Sequence, residues 1–341
     1  MDRLHTRALI GLLLLTTWLY SSVVSAPFVF EDAKALQQIP GWSLPGRGLT
    51  QWTWMAIGYD SPTAHAVNIG LHLVNGTLVA VLGSALAGPT AGVVAAGVLL
   101  LHPLSSEAVS YVTGRADLLV TLFVLLGVWL TVRWSQDGGA WRLACVGASL
   151  VLAAMSKEIG LIGIPLTVWT LIVVRRLPHT VWLLHGLWLG LGLVVGGAWD
   201  RIAGWIGMSG HNGGSVFAWP EFAALQLVAV WRVLLLTLWP VGFTIDPDII
   251  GLAPTWHVWT GLLTLLTGAL VVWAWRRAPL LAWGLGWVGI CVAPRFVFAT
   301  NEFMKEYQSL TAFAGLSVLL GVALAGQRVS APQWRERIAS A

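Results

Sequence analysis

Long apolar runs recur along the whole chain, near residues 8–26, 64–84, 89–103, 117–132, 143–156, 159–174, 180–198, 222–243, 257–275, 279–293 and 307–326. A segment that crosses a bilayer has no water to satisfy its backbone N–H and C=O groups, so it must satisfy them internally, as a helix does. The composition agrees, with 57% apolar and 10% charged residues against roughly 25% charged in soluble domains. The chain therefore reads as an all-α polytopic membrane protein. Several runs fall short of the ~20 residues a perpendicular helix needs, so tilted, buried or broken helices are expected. The first run follows Arg3 and Arg7 and ends on Val24-Ser25-Ala26, the small-residue spacing of a signal-peptide cleavage site. Pro27 would hinder cleavage there, and the run is long enough to span, so an uncleaved first helix is expected.

Lys and Arg placement sets the expected orientation. With the N-terminus cytoplasmic, Arg3, Arg7, Arg133, Arg142, Arg175, Arg176, Arg276, Arg277, Arg328, Arg335 and Arg337 all fall on the cytoplasmic side. This holds only if 222–243 is re-entrant or interfacial, with Arg232 on its polar face, leaving about ten transmembrane helices. Residues 1–327 then form one membrane domain with extracytoplasmic loops 27–63, 102–117 and 199–221, and 328–341 a short cytoplasmic tail. Every acidic residue except Asp2, Asp137 and Glu336 falls on or near the outer face. The net charge of +4 reflects this topology and does not point to nucleic acid. Cys145 and Cys291 sit inside apolar runs and read as packing residues. Arg-rich, Trp-rich usage with three lysines suggests a bacterial inner (plasma) membrane.

The outer segments carry the chemistry. Glu31-Asp32 directly follows the first run. His102-Pro103 to Glu107-Ala108-Val109 continues through Gly114-Arg115-Ala116-Asp117, placing ionisable groups where charge is costly without a partner. Ser156-Lys157-Glu158 sits at a helix turn, and Asp246-Pro247-Asp248, Arg295 and Asn301-Glu302 through Tyr307 complete the set. Such a layout suits transfer from a lipid-linked phosphate. The leaving phosphate needs positive charge or a metal, the acceptor hydroxyl needs a carboxylate base, and the lipid tail needs an apolar groove. The planar fork of arginine can grip two phosphate oxygens.

These pieces resemble, in order and over nearly the whole chain, the membrane region of GT-C glycosyltransferases of the transmembrane and tetratricopeptide-repeat O-mannosyltransferase type and their bacterial relatives. The resemblance is carried by Glu31-Asp32; Tyr59 through His65, Asn68 and His72; His102-Pro103…Glu107-Ala108-Val109…Gly114-Arg115-Ala116-Asp117-Leu118-Leu119; Ser156-Lys157-Glu158-Ile159-Gly160; Leu238-Trp239-Pro240…Ile245-Asp246-Pro247-Asp248; and Asn301-Glu302…Tyr307. It implies a polyprenyl-phosphate-linked sugar donor, an inverting transfer to a protein or glycan acceptor, and a site on the extracytoplasmic face. It implies an acidic residue of the first loop, Asp32 or Glu31, as base; the residues themselves are read as placing Glu107 in support and Arg115, Asp117, Lys157, Glu158, Arg295, Asp246, Glu302 and Tyr307 around the substrates, with a divalent cation as candidate cofactor. The usual two-aspartate pair reads Glu-Asp here, and Phe303-Met304-Lys305 and Gln308 stand where relatives carry His or Arg and Pro. The 15 residues after the last run are too few for a repeat of about 34 residues. The acceptor is thus expected to meet loops 27–63 and 199–221, or a separate acceptor-binding subunit.

Plainer readings stand beside these. Glu107, Arg115 and Asp117 could form a structural ion network, and Lys157-Glu158 a local pair. His65 and His72, seven apart, suit packing or hydrogen bonding better than metal ligation. The 22 tryptophans read as interfacial anchors. A catalytically inactive scaffold subunit and a lipid or sugar transporter are the rival functions, though no internal repeat of the transporter kind is visible.

Overall fold

The computed structural model describes residues 2–29, 32, 47–57, 60–174, 185–191, 217, 219–244, 247–296 and 303–326. Among them the regular elements are helices: α1 (Arg3–Tyr20), α2 (Gly48–Ile57), α3 (Ser61–Ala87), α4 (Pro89–Leu101), α5 (Ser106–Ser110), α6 (Arg115–Asp137), α7 (Ala140–Ser156), α8 (Gly163–Val174), α9 (Trp219–Leu236), α10 (Ile249–Arg277), α11 (Pro279–Val292) and α12 (Leu310–Leu324). Their boundaries follow local chemistry. Asp2 and Asp60 cap α1 and α3 by accepting the His5 and Thr63 backbone N–H groups at 3.0 and 2.9 Å. Gly88, at φ 106°, turns α3 back into α4, which opens on Pro89 at its first position.

The helices form a bundle whose two ends differ in charge. At one end, His5 Nε2 and Thr90 Oγ1 meet at 3.1 Å, so α1 and α4 start together. Asp137 joins Arg133 and Arg142 at the C-terminal end of α6. The opposite end carries the first turn of α6, the C-terminus of α7 and the segment leading into α12, tied together by Lys157, Asp117 and Tyr307. The 23 residues of α6 span about 35 Å between these ends, close to the ~30 Å hydrocarbon core of a bilayer.

Six helical stretches among the described residues are long and apolar enough to cross a membrane: Arg3–Ser25, Ser61–Ala87, Val112–Asp137, Trp256–Arg277, Pro279–Phe296 and Tyr307–Leu324. Counting α4 and Pro103–Ser110 as one span, bent by 57° at His102, makes seven. About ten were expected from the apolar runs. The runs at 143–156 and 159–174 form the shorter apolar helices Ala140–Ser156 and Glu158–Val173. The run at 180–198 lies mostly outside the described residues. Phe222, near the start of α9, stacks on Phe303 at 5.8 Å, and Arg232, near its end, reaches Glu306 at 3.1 Å. Both parts of α9 thus meet the same short segment before α12.

Close backbone approach, not bulky side chains, sets the centre of the bundle. A Cβ on Gly92 of α4 would collide with Ser84 Oγ and the Ala80 carbonyl of α3, and one on Gly321 of α12 would lie 2.6 Å from the Ala91 carbonyl. Small residues at such crossings let apolar helices pack without a hydrophobic driving force. Trp283 and Trp287 of α11 depart from the interfacial expectation, as does the buried Trp54. Trp283 and Trp287 are wholly buried, with their indole N–H groups donating to Thr170 Oγ1 at 3.0 Å and to the Thr311 carbonyl at 2.7 Å. Each indole has a polar partner, which is what lets it sit inside. Trp18 and Trp239 are 70% and 74% exposed.

Candidate functional site

The polar end of the bundle is built by three short devices. The chain leaves α4 at His102, whose Nδ1 accepts the Leu104 N–H at 3.1 Å, and bends through Pro103–Ser105 into the five-residue α5. A 3-10 turn, Val112–Gly114, then starts α6. Between α7 and α8, Lys157 adopts an extended backbone and Glu158–Ile162 a 3-10 turn, so the Lys-Glu pair projects from a break between helices.

Asp32 is wholly buried. Its Oδ1 accepts the backbone N–H and the hydroxyl of Thr113 at 2.8 and 2.7 Å, and its Oδ2 accepts the Val29 N–H at 3.2 Å. Lys157 Nζ donates to both oxygens of Asp117, at 3.0 and 2.8 Å, and lies 5.6 Å from the ring centre of Tyr307. Burial pulls the Lys157 ammonium below the usual lysine range, and Asp117 draws it back up. Tyr307 packs edge-on against Tyr111, with centroids 5.7 Å apart, and its backbone N–H donates to Glu107 Oε2 at 2.9 Å. Arg295, in the turn that ends α11, lies within electrostatic reach of Lys157.

Expected site residues therefore fall into two groups. The structure brings Glu107, Asp117, Lys157 and Tyr307 into one network, with Glu158 joined to it through the chain and through loop one. Arg115, expected around the substrates, is anchored on α3. It is wholly buried, donating from Nε to Asn68 Oδ1 at 3.0 Å and from Nη2 to the Ala64 carbonyl at 2.9 Å, with Trp54 4.2 Å from its guanidinium. Nε and Nη2 are taken up by α3, while the buried Nη1 has no hydrogen-bond partner in the structure. Glu31, Asp246 and Glu302 lie outside the described residues.

Further members of the cluster had weaker signals in the sequence. Arg47 donates from Nε and Nη2 to the two carboxylate oxygens of Glu158, at 3.2 and 3.0 Å, while Thr50 Oγ1 donates to the Ser156 carbonyl at 2.7 Å. Helix α2 is thereby fastened beside Lys157, by a partner 111 residues away that no local pattern announces. Arg232 and Glu306 pair at 3.1 Å, and Glu306 also accepts the Thr244 N–H at 3.2 Å. Asn68 was visible as a polar side chain inside an apolar run, a recognised functional signal. His72 is wholly buried, its Nε2 3.3 Å from the Leu100 carbonyl. Among the described residues no group of three or more His, Cys, Asp or Glu is placed to share a metal ion.

Glu107 carries a pH signature. Burial pushes its carboxyl up to about 7, against the lowering effect of the Tyr307 N–H, with Glu306 adding repulsion. A carboxyl raised in the folded state stays protonated there while the unfolded chain ionises. Stability is expected to fall as pH rises from about 5 to about 7. Across this range the melting temperature of the wild type should change more unfavourably with rising pH than that of Glu107→Gln; equal slopes would show that Glu107 does not titrate in this way.

Fold and site together define an all-helical membrane protein with a buried ionic cluster at one end of its bundle. Over 95 residues it is 39% identical to the protein O-mannosyl-transferase Tmtc2 of Drosophila melanogaster, covering 26% of this chain and 10% of that protein. Over 68 residues it is 37% identical to a protein O-mannosyl-transferase of Caenorhabditis elegans, covering 20% of this chain and 9% of that protein. The similarity is thus partial, and the chain matches about a tenth of the length of these relatives. No family model matches the chain, and no solved structure does.

Proposed function

We propose that this protein is a GT-C-like membrane glycosyltransferase that moves a sugar from a polyprenyl-phosphate donor to a protein or glycan acceptor on the extracytoplasmic face. The observation that carries the reading is the gathering of Asp32, Glu107, Asp117 and Lys157 at one end of the bundle, in a chain partly similar to proteins named O-mannosyl-transferases. Mannose is the sugar we propose, on those names alone. The N-terminus is cytoplasmic in this reading, because Arg133 and Arg142, on either side of the turn between α6 and α7, and Arg276 and Arg277, at the end of α10, then fall inside. The arginine-rich, lysine-poor composition favours a bacterial plasma membrane.

In the proposed reaction Asp32 accepts the proton of the acceptor hydroxyl as that oxygen attacks the anomeric carbon. The bond from that carbon to the phosphate oxygen breaks, and the lipid phosphate leaves with its electron pair. Lys157 and Arg295, with Arg47, supply positive charge for the departing phosphate. Glu107 fixes the segment that carries Tyr307 through its bond to the Tyr307 N–H.

The test is transfer of radiolabelled mannose from polyprenyl-phosphate-mannose by the purified chain in nanodiscs, with membrane protein extracts as acceptors. Donor-dependent labelling of the acceptor is the expected result. Absence of both transfer and donor binding would replace this reading with that of a scaffold subunit.

A further inference from the structure

We propose that Thr113 is the positioning residue for Asp32, and that Asn68 and Arg115 form the buried clamp that holds Thr113 in place. This rests on the reading of Asp32 as the base. An ionised carboxylate offers about four lone-pair directions. Three are taken in this structure: Oδ1 receives both the N–H and the hydroxyl of Thr113, and Oδ2 receives the Val29 N–H. Two of these donors come from one residue 81 positions away. Thr113 thus selects the direction left for the acceptor hydroxyl, and a base must meet its proton at hydrogen-bond distance and angle to be effective.

The turn that presents Thr113 is itself held. Asn68, wholly buried on α3, points its amide at three carbonyls, those of Val109, Tyr111 and Val112, at 3.3, 3.2 and 3.3 Å. An asparagine amide has two N–H groups, so they are shared among three acceptors that all belong to the approach to Thr113. The other end of the same amide accepts Arg115 Nε at 3.0 Å, and Arg115 donates onward to the Ala64 carbonyl. Gly114 closes the turn, because a Cβ there would lie 2.5 Å from the Ala108 carbonyl. Arg115 is also within electrostatic reach of Asp32. The clamp runs without a gap from α3 through Asn68 and the 109–113 backbone to the carboxylate. Asn68 and Arg115 are wholly buried, so in this proposal they act on the base through the turn they hold.

Thr113→Val keeps shape and backbone N–H and deletes only the hydroxyl; Thr113→Ser restores it. In the mannose-transfer assay, Thr113→Val is expected to lower kcat on the order of 10- to 100-fold, as for loss of a hydrogen bond to a charged group, with donor KM unchanged. Thr113→Ser is expected to stay within about threefold of the wild type, a margin set by small changes in hydrogen-bond geometry. A wild-type kcat in Thr113→Val beside an inactive Asp32→Asn would overturn the positioning role and leave the base standing. Equal impairment of the Val and Ser variants would overturn it too. Full activity in Asp32→Asn removes the base, and the proposal with it. A readout independent of turnover is the infrared carboxylate band of Asp32, isolated by difference against Asp32→Asn. It should shift in Thr113→Val and hold in Thr113→Ser, and an unshifted band in the Val variant overturns the proposal.

Discussion

Asp32→Asn should lower mannose transfer by about 10²- to 10⁴-fold, the usual contribution of a positioned general base, while the protein still folds. The separation of the two effects follows from the contacts. The asparagine carbonyl can occupy the Oδ1 position and keep both bonds from Thr113. Its amide must then face the Val29 N–H, at 3.2 Å in the wild type, which loses one hydrogen bond to a charged group, worth about 1.5–3 kcal/mol. A loss of that size lowers the melting temperature by a few degrees. The check pairs initial transfer rates at saturating donor with melting curves of equal amounts of purified protein. A variant that melts like the wild type and transfers like the wild type would remove Asp32 from the chemistry; Glu31→Gln would then be the next variant to assay.

Lys157→Met should destabilise the folded protein by about 3–5 kcal/mol, the range for removing one partner of a buried ion pair. The side chains of Lys157 and Asp117 are only 12% and 7% exposed, so the remaining Asp117 carboxylate would keep neither its two bonds from Nζ nor an adequate contact with water. Methionine fills the space of the lysine stem, which confines the loss to the charge. Pairing the change with Asp117→Asn should recover most of the stability, because the cost lies in the uncompensated charge and not in the missing attraction. Denaturation in mixed micelles for the two single variants and the double variant measures the coupling. Single variants that add up to the double variant would show that the pair is not coupled as its geometry indicates.

The polar end of the bundle brings together side chains far apart in sequence. Arg47 and Glu158 are 111 residues apart, Glu107 and Tyr307 200, and Asp32 and Thr113 81. Each pair joins a residue in a break between helices to another at the same end of the bundle.

The sequence by itself determined that the chain is helical and membrane-embedded, because a long apolar run has few other ways to satisfy its backbone. It also determined which residues could carry chemistry, since ionisable groups between apolar runs are costly to keep idle. Glu107, Asp117 and Lys157 were legible on that ground, and Asp32 through its place just after the first run. The number of crossing helices was less legible, because an apolar run of 14 to 16 residues reads alike whether it spans, tilts or packs as a short internal helix. Only the tertiary structure decided that Arg115 meets Asn68 and Ala64, that Trp283 and Trp287 are core, and that Thr113 meets Asp32. Those outcomes depend on which helix ends meet, a matter of packing between distant segments that hydropathy along one strand of sequence does not encode.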